Sequence, residues 1–419
     1  MTDQKHIVFF AHFAGSERHG MVFGHYYLAR EWVKLGHQVT IIASGFAHTR
    51  QLQPKLRGRI TEEIVDGIRY LWVKTPRYDG KGRLGRVGNL LSFAFQVWAL
   101  PLPIDDADLV ICSSHCPFAI HGSYRFARRC NATLVFEVRD LWPLTLIELG
   151  GASRYNPLIY LMQRSEDFAY RKSARVVSVL PAAAEYMTSR GMHPGKFIYI
   201  PNGISLDSRP PTSGHEPSQV FNQINDLRAR GKFLLGYAGR FVASNTIELL
   251  LDAVARCERP DIHLVLLGDG YLQKELASQA ATLGLSERVS FLGVVNKRQV
   301  VSILSKFDAL YLGLVSKPIF RFGVSPTKLN DYFMAARPII YSVDAPDDVV
   351  EISGGGVSCI AENVEAIVTA IQKIHAMTPL QRDQMGLAGR DWLFQNRTYS
   401  KLASQFLDAA SSDGEHASR

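Results

Sequence analysis

Cysteine is scarce in this chain: five residues in 419, scattered with no paired spacing. That excludes a disulfide scaffold and matches reduced thiols inside a cell. Cys112, His115, Cys116 and Cys130 fall near one another, but no second Cys-x-x-Cys completes a zinc pattern, so no metal is expected. No apolar run reaches the roughly 18 residues needed to cross a bilayer. Residues Met1 to Lys5 are polar and lead into His6 to Phe10 without a cleavage-site pattern, so the expected location is the cytoplasm, with peripheral contact to the inner membrane face left open. A Gly-x-Gly-x-x-Gly fingerprint is absent, as is any solenoid-length repeat. No basic-aromatic reader motif is present, so nucleic acid is not an expected partner despite the net charge of +8.

What the chain does have is length and 47% hydrophobic residues, enough for two cores of about 200 residues each. Short β-branched runs alternate with helical-period segments. His6 to Phe10, a helix near Gly24 to Leu35 and Gln38 to Ala43 come first, then strands at Ile68 to Val73, Leu109 to Cys112, Thr133 to Val138, Val176 to Val179 and Ile198 to Pro201. A Pro-, Ser- and Gly-rich stretch at Ser208 to Pro217 reads as a connection, after which strands recur at Phe233, His263, Val289, Ala309, Pro338 and Val357. The expected fold is α/β: two Rossmann-like, doubly wound parallel-sheet domains with ligands at the carboxyl ends of the strands, in a cleft between them. The expected boundaries are 1–205 and 206–395, with 396–419 as a final amphipathic helix and polar tail.

The chemistry-bearing residues fall just after strands. Gly239 and Arg240 end the first strand of the second domain, where small residues admit a close ligand and an arginine forks onto phosphate oxygens. Gly268 and Gly270 repeat the arrangement on the next strand and read equally as turn residues. Ser325, Pro326, Thr327, Lys328 and Leu329 open a helix whose first N–H groups suit an anion, and Asp331 follows Lys328 by about one turn. In the first domain, Gly15 and Gly20 occupy the loop after strand one and are expected to bring backbone amides to the donor diphosphate or the acceptor, His115 follows another strand, and Arg139 and Asp140 end a near-continuous apolar strand. A capping pair in the Lys328 helix, or an Arg139–Asp140 ion pair, would explain the same residues structurally.

The string Gly323-Val324-Ser325-Pro326-Thr327-Lys328-Leu329-Asn330-Asp331-Tyr332, with Ala335, Ala336 and Pro338 in register, resembles the donor-binding segment of family-4 glycosyltransferases of the GT-B fold. In that pattern two Glu residues stand where this chain has Gly323 and Asp331. The variant is similar to the WbuB-like branch, amino-deoxyhexose transferases of surface-polysaccharide synthesis such as those for N-acetylfucosamine. The likeness extends through His19-Gly20-Met21, Tyr26 to Trp32, Leu35 to Ile42, Glu137 to Pro143, Ile147 to Gly150, Glu166 to Lys172 and Pro201 to Ile204. The family lysine after the Gly-Arg strand end falls at Asn245, and Lys328 is the expected replacement for its charge.

The resemblance implies transfer of an N-acetylated deoxyhexose, with retention, from a UDP-linked or other nucleoside-diphosphate sugar to a lipid-diphosphate-linked or saccharide acceptor in O-antigen or capsule synthesis. No cofactor and no obligatory metal are implied. Arg240 and Lys328 are expected on the diphosphate, Asp331 on the ribose, and His115, Arg139 and Asp140 near the reacting centre. A nucleotide-sugar epimerase and a non-catalytic nucleotide-sugar-binding protein are the alternatives. Arg77, Lys81, Arg83 and Arg86, followed by an apolar run that includes Trp98, read either as a solvated loop before a core helix or as a contact with an anionic membrane surface.

Overall fold

The structure is a computed structural model that describes residues 4–20, 24–78, 83–207 and 219–411. Its contacts divide the chain into two units, Met1–Gly203 with Tyr399–Arg419, and Ile204–Thr398. The expected connection at 208–217 and Lys81 lie outside the described residues, and only the backbone of Arg83 is described.

The strands of the first unit are β1 (His6–Phe10), β2 (Gln38–Ser44), β3 (Ile60–Val65), β4 (Ile68–Val73), β5 (Leu109–Ser113), β6 (Thr133–Val138), β7 (Arg175–Ser178) and β8 (Phe197–Tyr199). They form one sheet in the order β3-β4-β2-β1-β5-β6-β7-β8. Its helices are α1 (Gly24–Lys34), α2 (Arg83–Ala99), α3 (Ile120–Cys130), α4 (Trp142–Glu148), α5 (Pro157–Lys172) and α6 (Ala184–Ser189). The central strand β1 pairs in parallel with both β2 and β5. Its Ile7 to Phe10 are almost wholly buried, as a strand covered by helices on both faces requires. Because the strand order reverses about β1, the loops after β1 and β5 border the crevice where such sheets bind ligands.

One strand departs from the expected parallel sheet. β3 pairs antiparallel with β4. The cause is local: Asp66 (φ 51°) and Gly67 (φ 77°) form a two-residue turn with both residues left-handed. A hairpin of this kind matches the twist of its strands, and Asp-Gly is its sequence signature.

The second unit holds α7 (Gln219–Ala229), β9 (Phe233–Ala238), α8 (Ile247–Arg256), β10 (Ile262–Leu267), α9 (Gln273–Thr282), β11 (Val289–Gly293), α10 (Lys297–Leu304), β12 (Ala309–Gly313) and α11 (Thr327–Met334). It continues with β13 (Ile339–Ser342), α12 (Val349–Ser353), β14 (Gly356–Cys359), α13 (Val364–His375) and α14 (Pro379–Asn396). Its parallel strands run β11-β10-β9-β12-β13-β14, so the order reverses at β9 and β12. Thr378 and Gln381 cap α14 reciprocally after the loop that follows α13.

The final helix α15 (Tyr399–Ser411) belongs to the first unit rather than standing apart. Its apolar face, Tyr399, Leu402, Ala403 and Phe406, is buried in that core. Trp32 of α1 donates its indole N–H to the Ala403 carbonyl at 3.0 Å, and the Phe406 ring meets Trp32 at 5.3 Å. Replacing Phe406 by Ala should therefore cost the first unit about 3–5 kcal/mol. Hydrogen exchange resolved by segment should show lost protection across β1, β2 and α1 with β9 to β14 unchanged. Equal loss in both units, or none, would contradict this assignment of α15.

Candidate functional site

In the second unit the site is built where β9 and β10 leave the sheet. The two strand exits continue side by side: Gly239 donates to the Leu267 carbonyl at 2.9 Å and Phe241 to that of Asp269 at 2.7 Å. Gly268 has φ 134°, and a Cβ there would lie 1.9 Å from the Gly239 carbonyl oxygen; one at Gly270 would lie 2.1 Å from that of Phe241. These glycines are required by backbone packing, which resolves the ambiguity their sequence left. Arg240 projects outward, its side chain 68% exposed, and pairs with Asp269 at 2.5 Å. A pair this open adds little stability, so the guanidinium can exchange partners at low cost.

Helix α11 is joined to this exit by two side chains. Tyr332, fully buried, accepts from the Ala238 N–H at 2.9 Å through its hydroxyl and reaches the Ala238 carbonyl at 3.3 Å. One turn earlier, Lys328 donates to Asn245 Oδ1 at 2.7 Å and lies 5.0 Å from the centre of the Tyr237 ring. Asn245 in turn donates to the Arg240 carbonyl at 2.8 Å. Lys328 thus ends at the position where the resemblance puts the family lysine. Burial lowers its pKa to about 8, with no carboxylate to oppose the shift.

Pro326 occupies the cap position of α11, with Ser325 before it, and Leu329 is buried with its N–H on the Pro326 carbonyl at 3.1 Å. The N–H groups of Thr327 and Lys328 have no acceptor within the helix. Asp331 is paired with Lys297 of α10. The sequence reading overlooked Tyr237, Tyr332 and Gly313; at Gly313 a Cβ would meet the Tyr311 hydroxyl at 2.1 Å and Thr246 Oγ1 at 2.3 Å. A tyrosine ending an apolar strand, as Tyr237 nearly does, was the available signal.

In the first unit a buried polar cluster sits at the carboxyl ends of β5 and β6. Glu137 Oε2 is 2.9 Å from His25 Nε2, and its Oε1 is 3.2 Å from Arg139. Arg139 also donates to Asn202 Oδ1. Burial opposes ionisation of Glu137, but His25 and Arg139 outweigh it and hold the carboxyl well below its usual range. The Arg139 side chain is only 10% exposed, so it faces Glu137 and Asn202 rather than solvent. It does not pair with Asp140, which stands at the exposed rim. Asp140 is crowded enough that desolvation lifts its pKa to about 6, against the pull of Arg139.

His115 bonds Ser113 Oγ at 3.1 Å and meets the His25 ring edge-on at 5.5 Å. Burial, with His25 and Arg139 nearby, pushes its pKa well down, so it stays neutral. His25 and Glu137 went unassigned in the sequence reading, although an acid inside an apolar strand such as β6 is itself a signal. Gly15 and Gly20 flank a turn: the Gly15 carbonyl accepts from the Tyr70 hydroxyl at 2.9 Å, and the Gly20 N–H is taken by the Glu17 carbonyl at 3.1 Å. The Gly20 amide is therefore committed within the loop rather than offered to an anion. Arg77 and Arg86 are exposed, and Trp98 is 50% exposed on α2, whose Phe93 and Val97 are buried.

Comparison with known proteins agrees with this architecture. Residues 20–203 match the model of the glycosyl transferase 4-like domain, and residues 221–392 match that of glycosyl transferases group 1. The Vi polysaccharide biosynthesis protein VipC/TviE of Salmonella typhi is 26% identical over 174 residues, which are 41% of this chain and 27% of that protein. The chain thus aligns with about a quarter of the length of this curated relative. Among solved structures, Anabaena Alr3699/HepE in complex with UDP-glucose superposes with a TM-score of 0.66 at 14% identity, covering 98% of this chain and 100% of that one. Sucrose-phosphate synthase from Thermosynechococcus elongatus does so with a TM-score of 0.70 at 15% identity, covering 97% and 98%. With a glycosyl transferase 4-like domain followed by a group 1 domain on two parallel-sheet units, the chain is a glycosyltransferase of the GT-B type.

Proposed function

We propose that this enzyme transfers an N-acetylated deoxyhexose from a UDP-sugar to a lipid-diphosphate-linked or saccharide acceptor in surface-polysaccharide synthesis, with retention, as in the WbuB-like branch. The observation that carries the donor reading is the Lys328 ammonium held 2.7 Å from Asn245 at the mouth of β9, beside Arg240. Both cations and the first N–H groups of α11 suit a diphosphate that gains negative charge as the C1–oxygen bond breaks. Asp331, once released from the exposed Lys297, is the acceptor for the ribose diol. The UDP and UDP-glucose complexes of the similar HepE structures and the polysaccharide role of the Salmonella relative support this reading.

On the first unit, Asp140 is the group we assign to orient the acceptor hydroxyl, and Arg139 and Glu137 position the β6 edge that carries it. A neutral His115 would face the same edge. No metal or cofactor enters this scheme.

The acceptor reading draws on α2. Leu84, Leu91, Phe95 and Trp98 recur along the helix and are all exposed, Leu84 at 88% and Phe95 at 65%. The segment 83–99 contains no acidic residue. Arg125 of α3 lies over the Trp98 ring at 5.3 Å, adding charge beside the apolar stripe. An apolar stripe rimmed by arginines fits an anionic bilayer surface. Among the described residues no helix is long and apolar enough to cross a membrane.

Incubation with UDP-N-acetylfucosamine and a polyprenyl-diphosphate-linked saccharide should release UDP only when the acceptor is present, and NMR of the product should show the donor's anomeric configuration. UDP-sugar isomerised without acceptor, or bound without turnover, would overturn the reading. Lys328→Ala should weaken UDP binding by about 1.5–3 kcal/mol, roughly tenfold to 150-fold. Since Lys328 loses its proton as pH rises through about 8, UDP affinity should hold below that value and fall above it, a trend absent from Lys328→Ala. The double variant Phe95→Ser, Trp98→Ser should reduce partitioning onto anionic vesicles by about tenfold or more; unchanged sedimentation would remove α2 as the membrane contact.

A further inference from the structure

At the carboxyl edge of β2 and β4 in the first unit lies a second cationic group. Arg50 is 4% exposed, yet among the described residues no acidic side chain pairs with it. One guanidinium nitrogen, Nη2, donates to the Ser44 carbonyl at 2.5 Å, and the group lies 4.8 Å from the centre of the Trp72 ring. Its Nε and Nη1 have no hydrogen-bond partner, and neither has the adjacent buried Thr49 hydroxyl. Glu63, which reaches the same Trp72 through the indole N–H, is engaged by Arg18 and His19. Burial lowers the Arg50 pKa to about 10, opposed only by Tyr70 and Tyr78. A buried guanidinium with unmet donors and no counter-ion is costly, and an anion bearing several acceptor oxygens answers both deficits.

One further cation, Arg86, stands beside it. Arg86 donates to His48 Nε2 at 3.1 Å, so the His48 Nδ1 carries the proton it shares with the Tyr78 hydroxyl at 2.7 Å. His48 and Arg86 are exposed at the rim, Arg86 in the first turn of α2. Behind them, His12 bonds the fully buried Asn89, which also donates to Thr75 and the Pro76 carbonyl and fixes the floor. The turn that carries Arg50 is itself fastened to the loop after β1, with Gln51 donating to the His19 carbonyl at 3.1 Å.

We propose that Arg50 and Thr49, with His48 and Arg86 at the rim, form an anion subsite of the first unit that takes a phosphate or diphosphate group of the acceptor. The inference rests on the acceptor reading above, and places the charged end of the acceptor by the first turn of α2. A diphosphate supplies acceptor oxygens for the unmet Arg50 donors and the Thr49 hydroxyl, and its charge replaces the missing carboxylate.

The test uses the full chain in two arms. In the first, inorganic pyrophosphate is titrated calorimetrically into protein kept saturated with UDP. In the second, sedimentation is measured with phosphatidylcholine vesicles with and without a polyprenyl diphosphate. Arg50→Gln should weaken the pyrophosphate or polyprenyl-diphosphate response by about tenfold or more. His48→Ala with Arg86→Gln, both at the exposed rim, should weaken it in the same direction without touching the core, and Lys328→Ala should leave it unchanged. A response confined to the vesicle arm assigns the site to a lipid-linked group, and one confined to the soluble arm to free diphosphate; both support the subsite. No response in either arm, or one indifferent to both Arg50→Gln and the rim variant, overturns it. Failure of UDP to bind, with the Arg50 dependence intact in the vesicle arm, would sink the donor reading alone.

Discussion

The contact on which the second unit's chemistry depends is the clamp between α11 and the end of β9. The Tyr332 hydroxyl meets both the N–H and the carbonyl of Ala238, and Lys328 reaches Asn245 from the preceding turn. Without the tyrosine, the helix would keep only the Lys328–Asn245 link to the strand exit. The close approach at Gly239, Gly268 and Gly270 is the complementary constraint, because it keeps the β9 and β10 exits low enough for Arg240 to share the same mouth. The ammonium arrives there from a helix, beside the guanidinium of Arg240 from the loop after β9. What transfers between the two arrangements is the location of the charge, while the residue that supplies it changes.

The first unit uses buried charge differently. Glu137 and Arg139 neutralise one another inside the β5–β6 edge, with His25 bonded to the same carboxylate, a costly arrangement unless every partner is satisfied. Its effect is to fix the backbone that carries Asp140 to the rim. Arg50 is the counter-example in the same unit: a buried cation whose partners are a carbonyl and an aromatic face. With Arg86 in the first turn of α2, it makes the first unit's carboxyl edge a place for the charged end of a ligand.

Much of this was legible in the sequence. The strands starting at His6, Thr133 and Phe233 are short, near-continuous apolar runs alternating with helical-period segments, the pattern of buried strands in a parallel sheet. The helix start at Thr327 was announced by Pro326. β3 escaped because Glu62 and Glu63 dilute its alternation, although the Asp66-Gly67 turn gave its position away. The pairing of Arg139 with Glu137 rather than Asp140 follows from strand geometry, since residues two apart share a face, but the contact of Glu137 with His25, 112 residues away, was not readable. Nor was the want of a partner for Arg50, which depends on a turn folding back over Trp72, a contact between distant parts of the chain.

The central claim, that Lys328 is the ammonium which meets the donor diphosphate, is tested most directly by the titration of that ammonium itself. With the lysines labelled at Nζ with nitrogen-15, and Lys328→Arg used to assign the resonance, its pKa should lie near 8 in the free protein and move upward on saturation with UDP, because a diphosphate favours the charged form. An ammonium whose titration is the same with and without bound UDP would contradict the account.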